Sequence, residues 1–126
     1  MIYIRTDSNP YIGMGHIMRC LSVADSLTAA GQDVTFILSD ESADFLVRER
    51  GYKTSILRTD YTKMEEEIEF WPPEQPDFII VDSYFVTRNY LSDLKKRIGE
   101  NGRLVYIDDL TAFPYPADIL INYNAY

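Results

Sequence analysis

The regular alternation of strand-like and helix-like segments constrains the fold of this chain more than any other feature of its sequence. Short, almost entirely apolar runs are typical of strands buried on both faces of a parallel sheet. Such runs recur at residues 2–6, 34–38, 78–81, 104–107 and 119–121, with a weaker one at 53–57. Helical patterns separate them at residues 17–30, 41–50, 62–70 and 87–98.

Local signals mark the ends of these helical patterns. Gly31 and Gly51 follow the first two patterns, as glycine commonly does at helix C-termini. Thr87 has the residue type of an N-cap for the fourth helix. Strict alternation of strand and helix predicts an α/β fold, a Rossmann-like doubly wound parallel sheet with helices on both faces. We expect residues 1–126 to form a single domain of this class.

The predicted topology also says where a functional site would lie. In doubly wound sheets, ligands bind outside the carboxyl ends of the strands, at the point where the strand order reverses. With the strand order 3-2-1-4-5, that point lies between the first and the fourth strand. Residues 7–16 follow the first strand, and residues 82–84 follow the fourth. We therefore expect the only histidine, His16, to lie across a crevice from acidic and hydroxyl groups.

The loop that leads to His16 is the most informative stretch. Gly13 and Gly15 permit close approach of the backbone to a ligand, and they serve equally well to ease a tight strand-to-helix turn. The following helix offers free N–H groups and a positive dipole end to an anion. That dipole end disfavours an imidazolium, so His16 in the first turn suits a neutral general base. Arg19, three residues further, could face the same side or act as an ion-pair partner.

Polar residues at the other strand ends complete the set of candidates. Asp7, Asp82 or Tyr84 could hold the imidazole tautomer or bind substrate, and the sequence leaves that choice open. Asp108 and Asp109 place two like charges at the end of the fifth strand, either for a ligand or to organise the next turn.

Composition excludes several classes of protein. One cysteine and one histidine exclude a disulfide framework and any metal site that needs two imidazoles from one chain. A formal net charge of −8 argues against non-specific binding to nucleic acid or an anionic membrane. The glutamates within residues 65–69 are predicted to be a solvated helix face, and Cys20 a small core residue. Neither an export signal nor a membrane span is predicted, which favours the cytoplasm.

Two nucleotide-binding motifs are incomplete or missing. Met18 stands where a G-x-G-x-x-G fingerprint needs its third glycine, so Asp40 after the second strand is a weak candidate for a ribose ligand. The G-x-x-x-x-G-K-[ST] pattern of a P-loop does not occur. We expect no cofactor and no metal.

Four segments together carry a resemblance to a known family. Residues 12–24, with the pattern Gly-x-Gly-His-x-x-Arg-Cys, resemble the start of the UDP-diacetamido-trideoxy-sugar hydrolases of pseudaminic acid biosynthesis. Related spore-coat polysaccharide biosynthesis proteins are similar. Residues 81–84, 107–109 and 117–122 fit the same pattern in the same order, so the resemblance spans the whole chain.

The resemblance implies a fold, a reaction and a set of site residues. The family is similar to the two-domain GT-B glycosyltransferases, with the catalytic histidine, here His16, in an N-terminal Rossmann-like half. The C-terminal half of such proteins holds most of the UDP contacts. The implied reaction is hydrolysis of a nucleotide sugar at the anomeric carbon, with C–O cleavage, inversion, UDP as leaving group and no metal. The substrate-binding residues are then expected among Asp7, Gly13, Gly15, Arg19, Asp82, Tyr84 and Asp108.

The length of the chain departs from that family, whose members are considerably longer. We expect an isolated N-terminal half whose missing partner is the nucleotide-binding C-terminal domain, and little activity from the half alone. Two alternatives remain open: the acceptor-side half of a GT-B glycosyltransferase, and a non-catalytic sugar- or partner-binding module. An exposed apolar face is expected where a second domain packs, and Tyr115, Tyr123 and Tyr126 either line it or finish the core.

Overall fold

A six-stranded, entirely parallel sheet forms the centre of the domain. The computed structural model describes residues 1–108 and 117–122. The strand order is β3-β2-β1-β4-β5-β6, which confirms the predicted doubly wound α/β fold and its switch point between β1 and β4. The strands are β1 (Ile2–Thr6), β2 (Val34–Leu38), β3 (Lys53–Ile56), β4 (Phe78–Asp82), β5 (Arg103–Asp108) and β6 (Ile119–Asn122).

Within residues 1–108 and 117–122, three α-helices and two 3₁₀ helices cover the sheet. They are α1 (Gly15–Ala29), a 3₁₀ helix (Glu41–Ala43), α2 (Asp44–Glu49), a second 3₁₀ helix (Met64–Phe70) and α3 (Arg88–Ile98). One core cluster joins α1 and α2 to one face of the sheet, and another joins α3 and the second 3₁₀ helix to the other face. In the described part of the chain, no helix combines the length and the apolar character needed to cross a membrane.

The residues of β1 and β4 alternate between these two faces, as the period of a strand requires. Ile4 and Ile80 pack in the cluster that contains α1, whereas Tyr3 and Val81 pack in the cluster that contains α3. Alternate residues of each strand thus point to different helices. This alternation decides which polar side chains at the strand ends can meet α1.

The acidic segment before β4 differs from its prediction. It forms a 3₁₀ helix, in which side chains three residues apart line up, and this brings both Met64 and Glu67 into the interior. The prediction of a solvated face is therefore wrong for Glu67, which is fully buried. Its neighbours Glu65 and Glu66 are exposed, as predicted.

A buried ionic network explains the position of Glu67. The guanidinium of Arg5, on β1, donates from Nε and Nη2 to the two carboxylate oxygens of Glu67, each at 2.8 Å. Glu67 also accepts hydrogen bonds from Trp71 Nε1 at 2.9 Å and from the Tyr90 hydroxyl at 2.7 Å. Because every charge in the network is paired and hydrogen-bonded, burial is tolerated, and the network ties the 3₁₀ helix and α3 to the sheet.

Thr87 caps α3 as its residue type predicts. Its side-chain oxygen accepts a hydrogen bond from the Tyr90 backbone N–H at 3.1 Å. We expect Thr87→Ala to lower the free energy of unfolding by about 1 kcal/mol, because the helix loses its cap. Urea denaturation measures the change. Thr87→Ser keeps the capping oxygen and should stay close to the wild type, so equal losses in both variants would contradict the capping role.

An apolar groove of about 390 Å³ lies on the sheet face beyond α1. Phe78, Ile119 and Ile121 line it and are between 36% and 45% exposed. The tyrosines expected at such a face, Tyr115, Tyr123 and Tyr126, lie outside the described residues.

Candidate active site

The reversal of strand order brings His16 against the end of β4. Asp82 is the last residue of β4, and its partner in the register of β1 is Thr6. A short loop connects β1 to α1, whose second residue is His16. As a result, residues that are 66 positions apart in the sequence meet at the carboxyl edge of the sheet.

Asp82 fixes the orientation and the tautomer of His16. The Nδ1 atom of His16 lies 2.5 Å from Oδ1 of Asp82. A carboxylate can only accept hydrogen bonds, so Nδ1 carries the proton that is donated to it. In the neutral imidazole, Nε2 is then the unprotonated nitrogen and can accept a proton. The same division of roles between an aspartate and a histidine operates in serine hydrolases.

Arg19 holds the same carboxylate from its other side. Its Nε donates to Oδ2 of Asp82 and its Nη2 to Oδ1, both at 2.6 Å. Asp82 is fully buried, which by itself would raise the pKa of its carboxyl group, but the hydrogen bonds from Arg19 and His16 outweigh burial and lower that pKa. Asp82 is therefore a carboxylate at neutral pH.

Cys20 lies behind this arrangement, one residue beyond Arg19 on α1. Its thiol is fully buried and lies 3.5 Å from Oδ2 of Asp82. Burial and the nearby carboxylate raise the pKa of the thiol well above its usual value, so Cys20 is a neutral core residue, as predicted.

The second ring nitrogen of His16, Nε2, is available to accept a proton. His16 is only 5% exposed, and its Nε2 has no hydrogen-bond partner among the described residues. A buried polar atom without a partner costs free energy, and such atoms are often found where a ligand or water completes the site. The ring of Tyr84 packs edge-on against the imidazole, with 4.2 Å between ring centroids, and is 51% exposed. Tyr84 therefore forms the border between His16 and solvent.

The loop before His16 is a compact turn built around one glycine. Gly13 has φ +75°, a left-handed conformation that side chains rarely adopt, and its N–H donates to the Asn9 carbonyl at 2.9 Å. The backbone of Gly15 needs no such conformation. No described side chain caps α1. Met18 N–H donates to the Met14 carbonyl, so an anion at this helix end would meet the N–H groups of residues 15–17.

The predicted site residue Asp7 makes its hydrogen bonds elsewhere among the described residues. Asp7 accepts hydrogen bonds from Arg5 Nη1 at 2.8 Å and from the backbone and side chain of Ser39, also at 2.8 Å. Asp7 therefore ties β1 to β2 and leaves the imidazole to Asp82. Asp108 ends β5, the strand next to β4, and its side chain lies outside the described atoms, as does Asp109.

A pocket of about 460 Å³ opens beside the Gly13 turn. Its walls come from the loop after β1, which includes Met14, and from the short helices after β2, which include Phe45. Both side chains are more than half exposed although they are apolar. The pocket lies at the same edge of the sheet as His16. Of the described side chains, no group of three histidine, cysteine or acidic residues is arranged to hold a metal ion.

Loss of the Asp82 charge should change the acid stability of the fold. The pKa of Asp82 is lower in the folded chain than in the unfolded one, so its carboxylate stabilises the fold above the unfolded pKa, about 4. That contribution is lost as the pH falls through the folded pKa. We expect Asp82→Asn to be less stable than the wild type at pH 7, with the difference narrowing below about pH 4. Urea denaturation at several pH values measures this, and a difference independent of pH would contradict it.

Comparison with known proteins does not show a family for this chain. No family model matches the chain. An uncharacterized protein of Methanocaldococcus jannaschii is 27% identical over an alignment of 128 positions, which covers 96% of this chain and 24% of that protein. The chain thus spans about a quarter of the length of the curated relative it matches.

Proposed function

We propose that this chain is the N-terminal catalytic half of a nucleotide-sugar hydrolase. The substrate would be a UDP-linked diacetamido-trideoxy sugar, and water would attack its anomeric carbon. The proposal combines the geometry of the site with the resemblance of the Gly-x-Gly-His-x-x-Arg-Cys run, and the second half of the cleft would bind most of the nucleotide.

The observation that carries the proposal is the pair formed by His16 and Asp82. One imidazole nitrogen is held by a buried carboxylate at 2.5 Å, and the other is buried and has no partner among the described residues. A histidine in the core for packing alone would be expected to satisfy both nitrogens. An arrangement that fixes one nitrogen and leaves the other open suits a general base.

The proposed reaction is a single displacement. His16 Nε2 takes a proton from water while the water oxygen forms a bond to the anomeric carbon. The bond from that carbon to the phosphate oxygen breaks, and its electron pair leaves with UDP. Asp82 stabilises the imidazolium that forms, as a carboxylate does beside a catalytic histidine. Backbone N–H groups at the start of α1 would assist the leaving group only if a phosphate reached them.

A second candidate is the acceptor-side half of a GT-B glycosyltransferase. The same base would then deprotonate a hydroxyl group instead of water. The pocket beside the Gly13 turn favours this reading, because its exposed apolar walls could hold an acceptor molecule. The two readings differ in whether turnover needs an acceptor.

Release of UDP tests the proposal. The full-length polypeptide that carries this domain is incubated with UDP-diacetamido-trideoxy sugar and, separately, with UDP-N-acetylglucosamine, in both cases without any acceptor. We expect UDP release from the first substrate and little from the second, and little from the 126-residue chain alone. Release that depends on an added acceptor would support the transferase, and no turnover under any condition would support a binding module.

A further inference from the structure

We propose that Arg19 is a positioning residue: its guanidinium orients Asp82 toward His16 Nδ1 and offsets the charge of that carboxylate, which leaves Nε2 free to accept a proton. The inference rests on the proposed role of His16 as a base. It replaces the expectation that Arg19 contacts substrate directly.

The guanidinium of Arg19 holds both oxygens of the Asp82 carboxylate. Two donors from one planar guanidinium reach both oxygens of Asp82 at 2.6 Å, so the carboxylate cannot rotate without breaking one of these bonds. The oxygen that Nη2 contacts, Oδ1, is also the one that lies 2.5 Å from His16 Nδ1. A lysine could supply the charge at this position but not the two parallel hydrogen bonds.

The charge of Arg19 matters as much as its geometry. Nη2 of Arg19 lies 3.2 Å from His16 Nδ1, so a positive charge lies against the ring beside the negative charge of Asp82. Together, Arg19 and Asp82 present a dipole to His16 instead of a net negative charge.

The other groups around the imidazole do not offset the charge of Asp82 as Arg19 does. Burial keeps the Cys20 thiol neutral by raising its pKa, and Asp7 is paired with Arg5. Among the described contacts, only Asp82 and Arg19 place a formal charge against the ring. At the carboxyl edge of the sheet, the titratable and charged residues on the elements around the imidazole include Arg19 and Cys20 on α1, Asp7 after β1, and Asp82 and Tyr84 at and after the end of β4.

Nuclear magnetic resonance of the single imidazole tests the inference without substrate. Since the chain has one histidine, its ring nitrogen signals need no assignment between residues. We expect Arg19→Gln to move the Nδ1 proton signal upfield, because the carboxylate that accepts this proton is no longer held in place.

Arg19→Lys separates charge from geometry. The Nδ1 proton signal should stay upfield in this variant, because the charge is restored and the two parallel hydrogen bonds are not. Arg50→Gln is the matched control, since Arg50 pairs with Asp25 on the surface and not with the site. It should leave the Nδ1 proton signal unchanged.

A wild-type Nδ1 proton signal in Arg19→Gln would overturn the inference. If that variant does not fold, an unchanged Nδ1 proton signal in Arg19→Lys would overturn it instead. The expected changes in both variants, together with no UDP release by the full-length polypeptide, would support the role of Arg19 and contradict the proposed hydrolase.

Discussion

Replacing His16 with asparagine is expected to lower the rate of UDP release by about 10²–10⁴-fold, the usual contribution of a general base. Asparagine keeps a polar side chain at the start of α1 but cannot accept a proton from water. The loss should appear in kcat, with KM changed little, because the base acts on water in the transition state and not on the bound sugar. Steady-state assay of the full-length polypeptide measures both constants.

Two further variants separate catalysis from folding. Ser22→Ala, on the exposed side of α1, should keep the wild-type rate, because Ser22 bonds only to the carbonyl of Met18 among the described residues. His16→Gly should regain part of its activity when imidazole is added to the assay, because the free base can replace the missing ring. Activity of His16→Asn within tenfold of the wild type would show that His16 is not the base.

Replacing Glu67 with glutamine is expected to cause the largest loss of stability, roughly 3–5 kcal/mol in the free energy of unfolding. The substitution keeps the shape of the side chain and removes the charge that pairs with Arg5. The Arg5 guanidinium is fully buried, so water cannot replace the lost carboxylate. In either orientation the amide NH2 group would face a donor, which is Arg5 Nη2 at one oxygen position and Arg5 Nε, Trp71 and Tyr90 at the other. Urea denaturation at pH 7 measures the change.

Glu66→Gln is the matched control, because it makes the same change at an exposed neighbouring position. Its effect should stay within about 0.5 kcal/mol of zero, as is usual for surface substitutions. If both variants lose the same small amount, the network around Glu67 does not stabilise the fold.

The topology of the sheet could be predicted from the sequence because most of its strands are short apolar runs that alternate with helical patterns. The strand order then brought His16 and the end of β4 together, as the reversal of order requires. The choice between Asp7 and Asp82 was left open, although the two-residue period of a strand contained the answer. Asp82 lies two residues after Ile80, which packs in the cluster that contains α1, so both side chains belong to that face of the sheet. Asp7 lies two residues after Arg5, whose side chain contacts Glu67 on the other face.

The buried position of Glu67 could not be predicted from its own segment. A run of glutamates usually lies in solvent, and an α-helical period does not align Glu67 with Met64 as the 3₁₀ helix does. The sequence feature that indicates a buried carboxylate is Arg5, which lies within a buried strand, since a buried guanidinium requires a carboxylate partner. Which acidic residue pairs with Arg5 depends on how the 3₁₀ helix packs against the sheet.

Labelled water tests most directly whether water attacks the anomeric carbon. The full-length polypeptide turns over its UDP-sugar in water enriched in oxygen-18, and mass spectrometry follows the UDP that is released. The proposed mechanism predicts unlabelled UDP and a label on the sugar, because the bond between the anomeric carbon and oxygen breaks. Label in the terminal phosphate of UDP would place the attack on phosphorus and contradict the proposal.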